Sequence, residues 1–365
     1  MMWKRIRSWL GFHSPQAAPR PVTPEPADPD LLASANTAER RAHIRNALSW
    51  ILDAPLEAVD DRLRPYLFPH NRDALDQTPA DLIRLTGQTL DAESDLLPAY
   101  LFHRNGYVRQ TTLDRLSAET MTPFLFMALC LRGNDWVDAV RQTALTKLEA
   151  LMPDLTATVL GPALPPLIRR MPSWRRVLPT QPSLPAASQP DNLALILSFP
   201  VAREAAIDSL LTPRTGPTTR MLLALARYPW LDAQLERLAR NAPAPGVRRV
   251  AVSALLSGHM RWPVRRKPAG PAQPGQTESI LEHRPLTCQP DRDAIFKLAA
   301  HDRAASVRAL AADALIADGP DVFDREDWEH LIEDKRQSVR TRMRFFHRKW
   351  VEGSLPDYLK DPKAG

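Results

Sequence analysis

Glycine, cysteine and long apolar runs are scarce in this sequence. Thirteen glycines among 365 residues are about half the usual share. That is too few for a protein of many tight hairpins, whose primed turns lean on Gly or Asn. It also argues against the Gly-rich phosphate cradles of nucleotide-binding folds. Two cysteines, Cys130 and Cys288, stand far apart and form no CxxC pair. They exclude a disulfide framework and a structural zinc site, and they suit a reduced, intracellular setting. No apolar run approaches the roughly 18 residues a membrane span requires. The longest, 121–131 and 193–202, each contain a proline. GxSxG and Walker-type motifs are also missing, and no histidine is followed by Glu. Proline, by contrast, is abundant at 36 residues, about twice its usual share. A proline-rich chain argues against an all-parallel sheet, because Pro cannot donate to a ladder.

The net charge is +6, and its distribution says more than its sum. Residues 1–13, 161–190, 259–277 and 335–350 together hold 18 cations and no acid, so the remainder carries −12. The chain reads as an acidic body with basic patches. Arg outnumbers Lys 40 to 8, which favours bidentate contact with phosphate or carboxylate and equally reflects an Arg-rich proteome.

The first 13 residues set Trp3, Ile6 and Leu10 near one side of a helix, with Lys4, Arg5 and Arg7 mostly elsewhere. This short basic amphipathic segment suits the surface of an anionic membrane. Residues 14–36 form a Pro-rich linker. From about residue 37 the pattern turns helical: Ile44, Ala47, Leu48, Ile51 and Leu52 make one apolar stripe at helical spacing. Residues 37–93 are expected to be an N-terminal helical or capping region. Beyond it, amphipathic segments recur between short breaks, and no sustained two-residue alternation marks a strand.

An internal repeat organises residues 94–352. A small apolar residue, Arg, a small residue three later and Leu four after that appear as Val108-Arg109, Thr112, Leu116 and Val140-Arg141, Ala144, Leu148. The pattern returns as Ala202-Arg203, Ala206, Leu210; Val247-Arg248, Ala251, Leu255; and Val307-Arg308, Ala311, Leu315. A weaker sixth copy is Val339-Arg340, Met343, with His347 in the Leu position. Asp135, Asp302 and Asp334 stand five residues before the Val in three units; His103, Leu197 and Ala242 take that place in three others. The i, i+4, i+8 row makes one helix face, and the small residue admits a close neighbour. Asp near the helix start suits the exposed amides and the positive dipole end. Pro-rich insertions at about 161–190 and 263–290 interrupt the array, and 353–365 is a tail.

This Asp-x4-Val-Arg-x2-Ala-x3-Leu arrangement resembles the HEAT repeat, particularly the short bacterial kind of phycobilin-lyase-like proteins. The resemblance implies an all-α fold, a right-handed α-solenoid of antiparallel helix pairs, with Arg and Asp in a buried ladder between repeats. Asp135 with Arg141, Asp302 with Arg308 and Asp334 with Arg340 match both ladder positions. Arg109, Arg203 and Arg248 match the Arg alone, which leaves the ladder incomplete in the middle. The His-Glu metal motifs of HEAT-repeat hydroxylases are absent. HEAT-like DNA glycosylases use aromatic, Arg and carboxylate groups, and Trp136 near Asp138 is the local echo.

Candidate binding residues fall in the basic patches. Arg169, Arg170, Trp174, Arg175 and Arg176 form one cluster, and Arg261, Trp262, Arg265, Arg266 and Lys267 a second. Arg342, Arg344, Arg348 and Lys349 lie on a C-terminal helix whose packing stripe is Val339, Met343, Phe346 and Trp350. Trp beside Arg suits bases and phosphates and also protein hot spots. His330 with Glu326 and Glu329 offers one pair of helical metal ligands, which reads as a solvated helix start. The expectation is a non-catalytic protein-interaction scaffold, cytoplasmic or membrane-peripheral, with no cofactor and no small-molecule ligand. The alternatives are a nucleic-acid-binding protein, of glycosylase type, that uses the basic patches, and a peripheral membrane adaptor that uses residues 1–13.

Overall fold

A computed structural model describes residues 78–174, 192–213, 216–266 and 278–352. The expectations for 1–13, 14–36, most of 37–93 and the 353–365 tail lie outside the described residues. Fifteen helices and one two-stranded sheet make up the described chain. The helices are α1 (Pro79–Ala92), α2 (Leu97–Tyr100), α3 (Gly106–Asp114), α4 (Pro123–Arg132) and α5 (Asp138–Leu151). Next come α6 (Ala157–Arg170), α7 (Asn192–Ser198), α8 (Pro200–Leu211), α9 (Thr218–Leu225), α10 (Leu235–Asn241) and α11 (Pro245–Ser257). After β1 (His259–Arg266) and β2 (Glu278–Pro285) come α12 (Arg292–Ala300), α13 (Ala305–Asp318), α14 (Arg325–Trp328) and α15 (Gln337–Trp350).

Local chemistry explains many helix starts. Thr78, Asn105, Thr122 and Asp291 cap α1, α3, α4 and α12 by accepting a backbone N–H with their side-chain oxygens. Pro79, Pro123, Pro200 and Pro245 occupy the first helical position, where the missing N–H costs nothing and the fixed φ is already helical. A good part of the proline excess is therefore helix punctuation.

The repeat motif falls on α3, α5, α8, α11, α13 and α15. Its apolar row is buried in all of the first five units, and Val339 and Met343 are buried in the sixth. Each buried Leu or Val there contributes about 1.5–3 kcal/mol of transfer free energy. Packing is strongly sequential. α1 lies on α3 and α3 on α5; later α11 lies on α13 and α13 on α15. Between these runs α6 bridges, packing on α4, α8 and α9, and α9 packs on α11. The principal contacts join helices no more than three apart in chain order.

Two expectations need correction. The insertion placed at 161–190 starts too early, because α6 continues to Arg170 with Pro162, Pro165 and Pro166 inside it. Burial of Leu160, Ala163, Leu164, Leu167 and Ile168 in the core outweighs the lost ladder bonds. The Gly161 carbonyl, which Pro165 cannot serve, lies 3.4 Å from the Ser209 hydroxyl. The second correction concerns the other insertion, within a fold that is mostly helical as expected. The span assigned to a proline-rich insertion at 263–290 contains most of an antiparallel hairpin, in register from His259↔Pro285 to Arg266↔Glu278. Gly258 ends α11 in the left-handed region at φ 70°, which turns the chain into β1 at no steric cost. The alternation Met260, Trp262, Val264 puts one face against the body, where Met260 and Trp262 are buried. β1 rests on α9 and α11.

Candidate functional site

The repeated arginines do one thing six times. Arg109, Arg141, Arg203, Arg248, Arg308 and Arg340 each donate to the backbone carbonyl six residues earlier, at 2.5–2.8 Å. Each guanidinium thereby pins the loop that leads into its own helix. Residue identity at the acceptor position is immaterial to this bond, so His103, Leu197 and Ala242 serve as well as Asp.

The remaining guanidinium donors reach forward. Arg109 makes two bonds to Asp135 at 3.0 and 2.7 Å, Arg248 two to Asp302 at 2.7 and 2.8 Å, and Arg308 two to Asp334 at 2.5 and 2.9 Å. These are bidentate, charge-assisted pairs between successive motif helices. In each, the same carboxylate accepts the amide two residues on: Val137, Ala304 or Arg336. His103 imitates this with Nδ1, which accepts the Asn105 N–H at 3.0 Å. Each rung joins the Arg of one unit to the Asp of a later one, and it forms at Arg109 and Arg248 although their own units lack the Asp. Arg141 and Arg340 make no such rung among the described residues. Arg141 turns to Asp138, and its Nε is buried without an acceptor. Arg340 turns to Gln337. Arg203 lies over the Trp230 ring, 5.8 Å from its centroid. The rungs occur where motif helices pack directly, α3 on α5 and α11 to α15, and fail in the middle.

Burial pushes the Asp135 carboxyl up, but the Arg109 bonds, the Arg132 charge and the Val137 amide outweigh it and hold it below its ordinary value of 3.8. Arg132 joins at 2.8 Å and also lies over the Phe102 ring. Asp334 is held down chiefly by its Arg308 bonds, and Arg308 is raised in turn. Asp232 is a fourth buried acid, unremarked in the sequence. It takes both oxygens' worth of Arg284 at 2.8 and 2.7 Å, plus the Thr287 amide and hydroxyl. Despite the upward push of burial, these bonds lower its pKa. Arg284 also donates to the Ala226 and Tyr228 carbonyls, so β2 is clamped to the helices.

The candidate basic residues divide. Trp262 is buried, which removes it as a stacking platform, and Trp174 is half-buried against the core. Arg169 is exposed and bonds the Pro165 carbonyl; Arg170 is half-buried at the end of α6, and Arg261 is exposed on the hairpin's outer face. Arg265 and Arg266 lie in β1. Arg175, Arg176 and Lys267 lie outside the described residues. Arg342 pairs with Asp313 at 2.7 Å, and Lys349 donates to the Ile316 carbonyl. Arg344 and Arg348 remain exposed without an ion pair among the described residues.

An apolar edge went unnoticed in the sequence. Trp136 is 72% exposed, with Val137 and Tyr107 also exposed. All three sit where the chain enters α3 and α5, and Val137 packs over Gly106. Trp136 directly follows the rung residue Asp135, so its position in the loop was the available signal. Among the described residues no three His, Cys, Asp or Glu side chains converge as a metal site. No family model, curated protein or solved structure matches the chain.

Proposed function

We propose that the chain is a right-handed HEAT-like α-solenoid that acts as a non-catalytic scaffold for a protein partner. The observation that carries this reading is the rung: one Arg–Asp geometry, repeated three times, that ties α3 to the start of α5, α11 to that of α13 and α13 to that of α15. Six arginine–carbonyl clamps of one spacing, and principal contacts confined to helices no more than three apart, support it, as expected of a quasi-one-dimensional array. A rigid array holds loop residues in fixed register over a long surface, which suits recognition of a folded or extended protein. The edge with Tyr107, Trp136 and Val137 is the docking surface in this reading. Exposed aromatics are costly to leave wet and are enriched at interfaces.

No described helix is long and apolar enough to cross a membrane, and a cytoplasmic or membrane-peripheral location belongs to the same proposal. Support for the nucleic-acid alternative weakens with Trp262 buried and Arg342 and Lys349 engaged within the chain. The test is affinity recovery with the immobilised chain and its Trp136→Ala variant. One defined protein retained by the wild type and lost by the variant, at unchanged melting temperature, supports the scaffold. Equal recovery by both would remove this edge from the reading, and salt-sensitive retention of nucleic acid alone would replace it.

A further inference from the structure

Charges in the last unit, residues 319–352, are unevenly satisfied. Several groups there find partners: Arg325 with Glu329, Lys297 with Asp327, Arg342 with Asp313 and Lys349 with the Ile316 carbonyl. Four cations do not. Lys335, Arg336, Arg344 and Arg348 are exposed, and their side chains make no ion pair among the described residues. Arg344 and Arg348 lie one turn apart, about 6 Å along the axis. Asp321, Asp324, Glu326 and Glu333, on the connection between α13 and α15, are likewise exposed and make no ion pair among the described residues, although Asp324 and Glu326 lie close enough to Lys297 to help raise its pKa. The principal described contacts of α15 are with α13 and the turn at Glu329–Glu333, and Arg344 and Arg348 are exposed.

The same unit also carries exposed apolar side chains. Val322, Ile332, Trp350 and Val351 are each 41–61% exposed. They are four of the ten large hydrophobics with this degree of exposure among the described residues. The Trp350 ring lies over Gly319, where an added Cβ would meet it at 3.4 Å. It therefore sits beside the start of the acidic connection that holds Val322.

Such a surface is dipolar rather than basic. A polyanion or an anionic membrane is attracted by four cations and repelled by four acids at the same end of the molecule. A second copy turned by a twofold axis is suited to both sets. The cations of each α15 then face the acids of the other connection, and every contact occurs twice. The exposed apolar side chains lose water between them. We propose that the α15 end of the chain is a self-association face through which two copies pair end to end.

Molar mass by light scattering, measured on the full chain over a micromolar series at low and high salt, reads this directly. The expected result is a dimer that weakens as salt screens the facing charges. The charge reversals Arg344→Glu with Arg348→Glu in one variant, and Asp324→Lys with Glu326→Lys in another, should each weaken pairing ~100-fold or more. All four positions are exposed, so helix content by circular dichroism should not change. Mixing the two variants should restore dimers, because each then meets the opposite sign. A wild type that stays monomeric throughout the series overturns the proposal, as does failure of the mixed variants to pair. Monomers that bind a DNA duplex or phosphatidylserine vesicles through Arg344 and Arg348 would overturn it and assign the face to a polyanion.

Discussion

Replacing Asp135 by Asn keeps the side chain's shape and removes its charge. Asp135 is fully buried, and its partners Arg109 and Arg132 are only 4% and 2% exposed as side chains. The variant therefore leaves two guanidinium groups inside the protein without a counter-charge. Breaking a buried ion pair at one end costs about 3–5 kcal/mol, mostly the desolvation of the stranded partner. A domain of this size loses roughly 2–4 °C per kcal/mol, so the melting temperature should fall by about 6–20 °C. Circular dichroism at a helical wavelength measures it, with Glu119→Gln, at an exposed loop acid that makes no ion pair among the described residues, as the control expected to move nothing. The gap should also depend on pH. Asp135 has a lowered pKa in the folded state, so its stabilisation is complete above the ordinary value of 3.8 and is lost as pH falls through the folded value. Wild type and variant should therefore converge on acidification below that value. A variant within experimental error of wild type at neutral pH would refute the reasoning that the rung is an obligatory buried charge pair.

Two further outcomes follow from the same geometry. Arg284→Ala removes the clamp on Asp232 and on two carbonyls, so hydrogen exchange should quicken across β1 and β2 while α3 to α5 keep their protection. Burial raises the Cys130 thiol far above its usual range, and Cys288 is partly exposed. A thiol reagent should therefore label Cys288 alone in the native protein and both cysteines in denaturant; rapid native labelling of Cys130 would contradict the packing of α4.

The helices were legible because their cause is local. The three-and-four spacing of Val, small residue and Leu specifies a buried face wherever it occurs, and cap residues with first-position prolines mark the starts. The six arginines were legible for the same reason. Their partners were not, because a rung is made 26 or 54 residues away. The resemblance implied a ladder between repeats, but not that each Arg also donates to the carbonyl six residues earlier, a bond that leaves no mark in residue identity. The hairpin was hidden because β1 carries Pro263 and three arginines, which mask the alternation of Met260, Trp262 and Val264. Long-range pairing with β2, across a proline-rich stretch, supplies what local propensity does not. Trp136 was read as a neighbour of a ladder residue and a faint catalytic echo; its exposure depends on how the loops meet, which spacing does not encode.

Hydrogen exchange on Asp334→Asn tests whether the rungs join units whose stability is set by their nearest neighbours. Asp334 ties α13 to the start of α15 through Arg308 and the Arg336 amide. Protection should fall in α15 and α13 and stay at wild-type levels from α3 to α6. Equal loss of protection across all the helices would contradict the account.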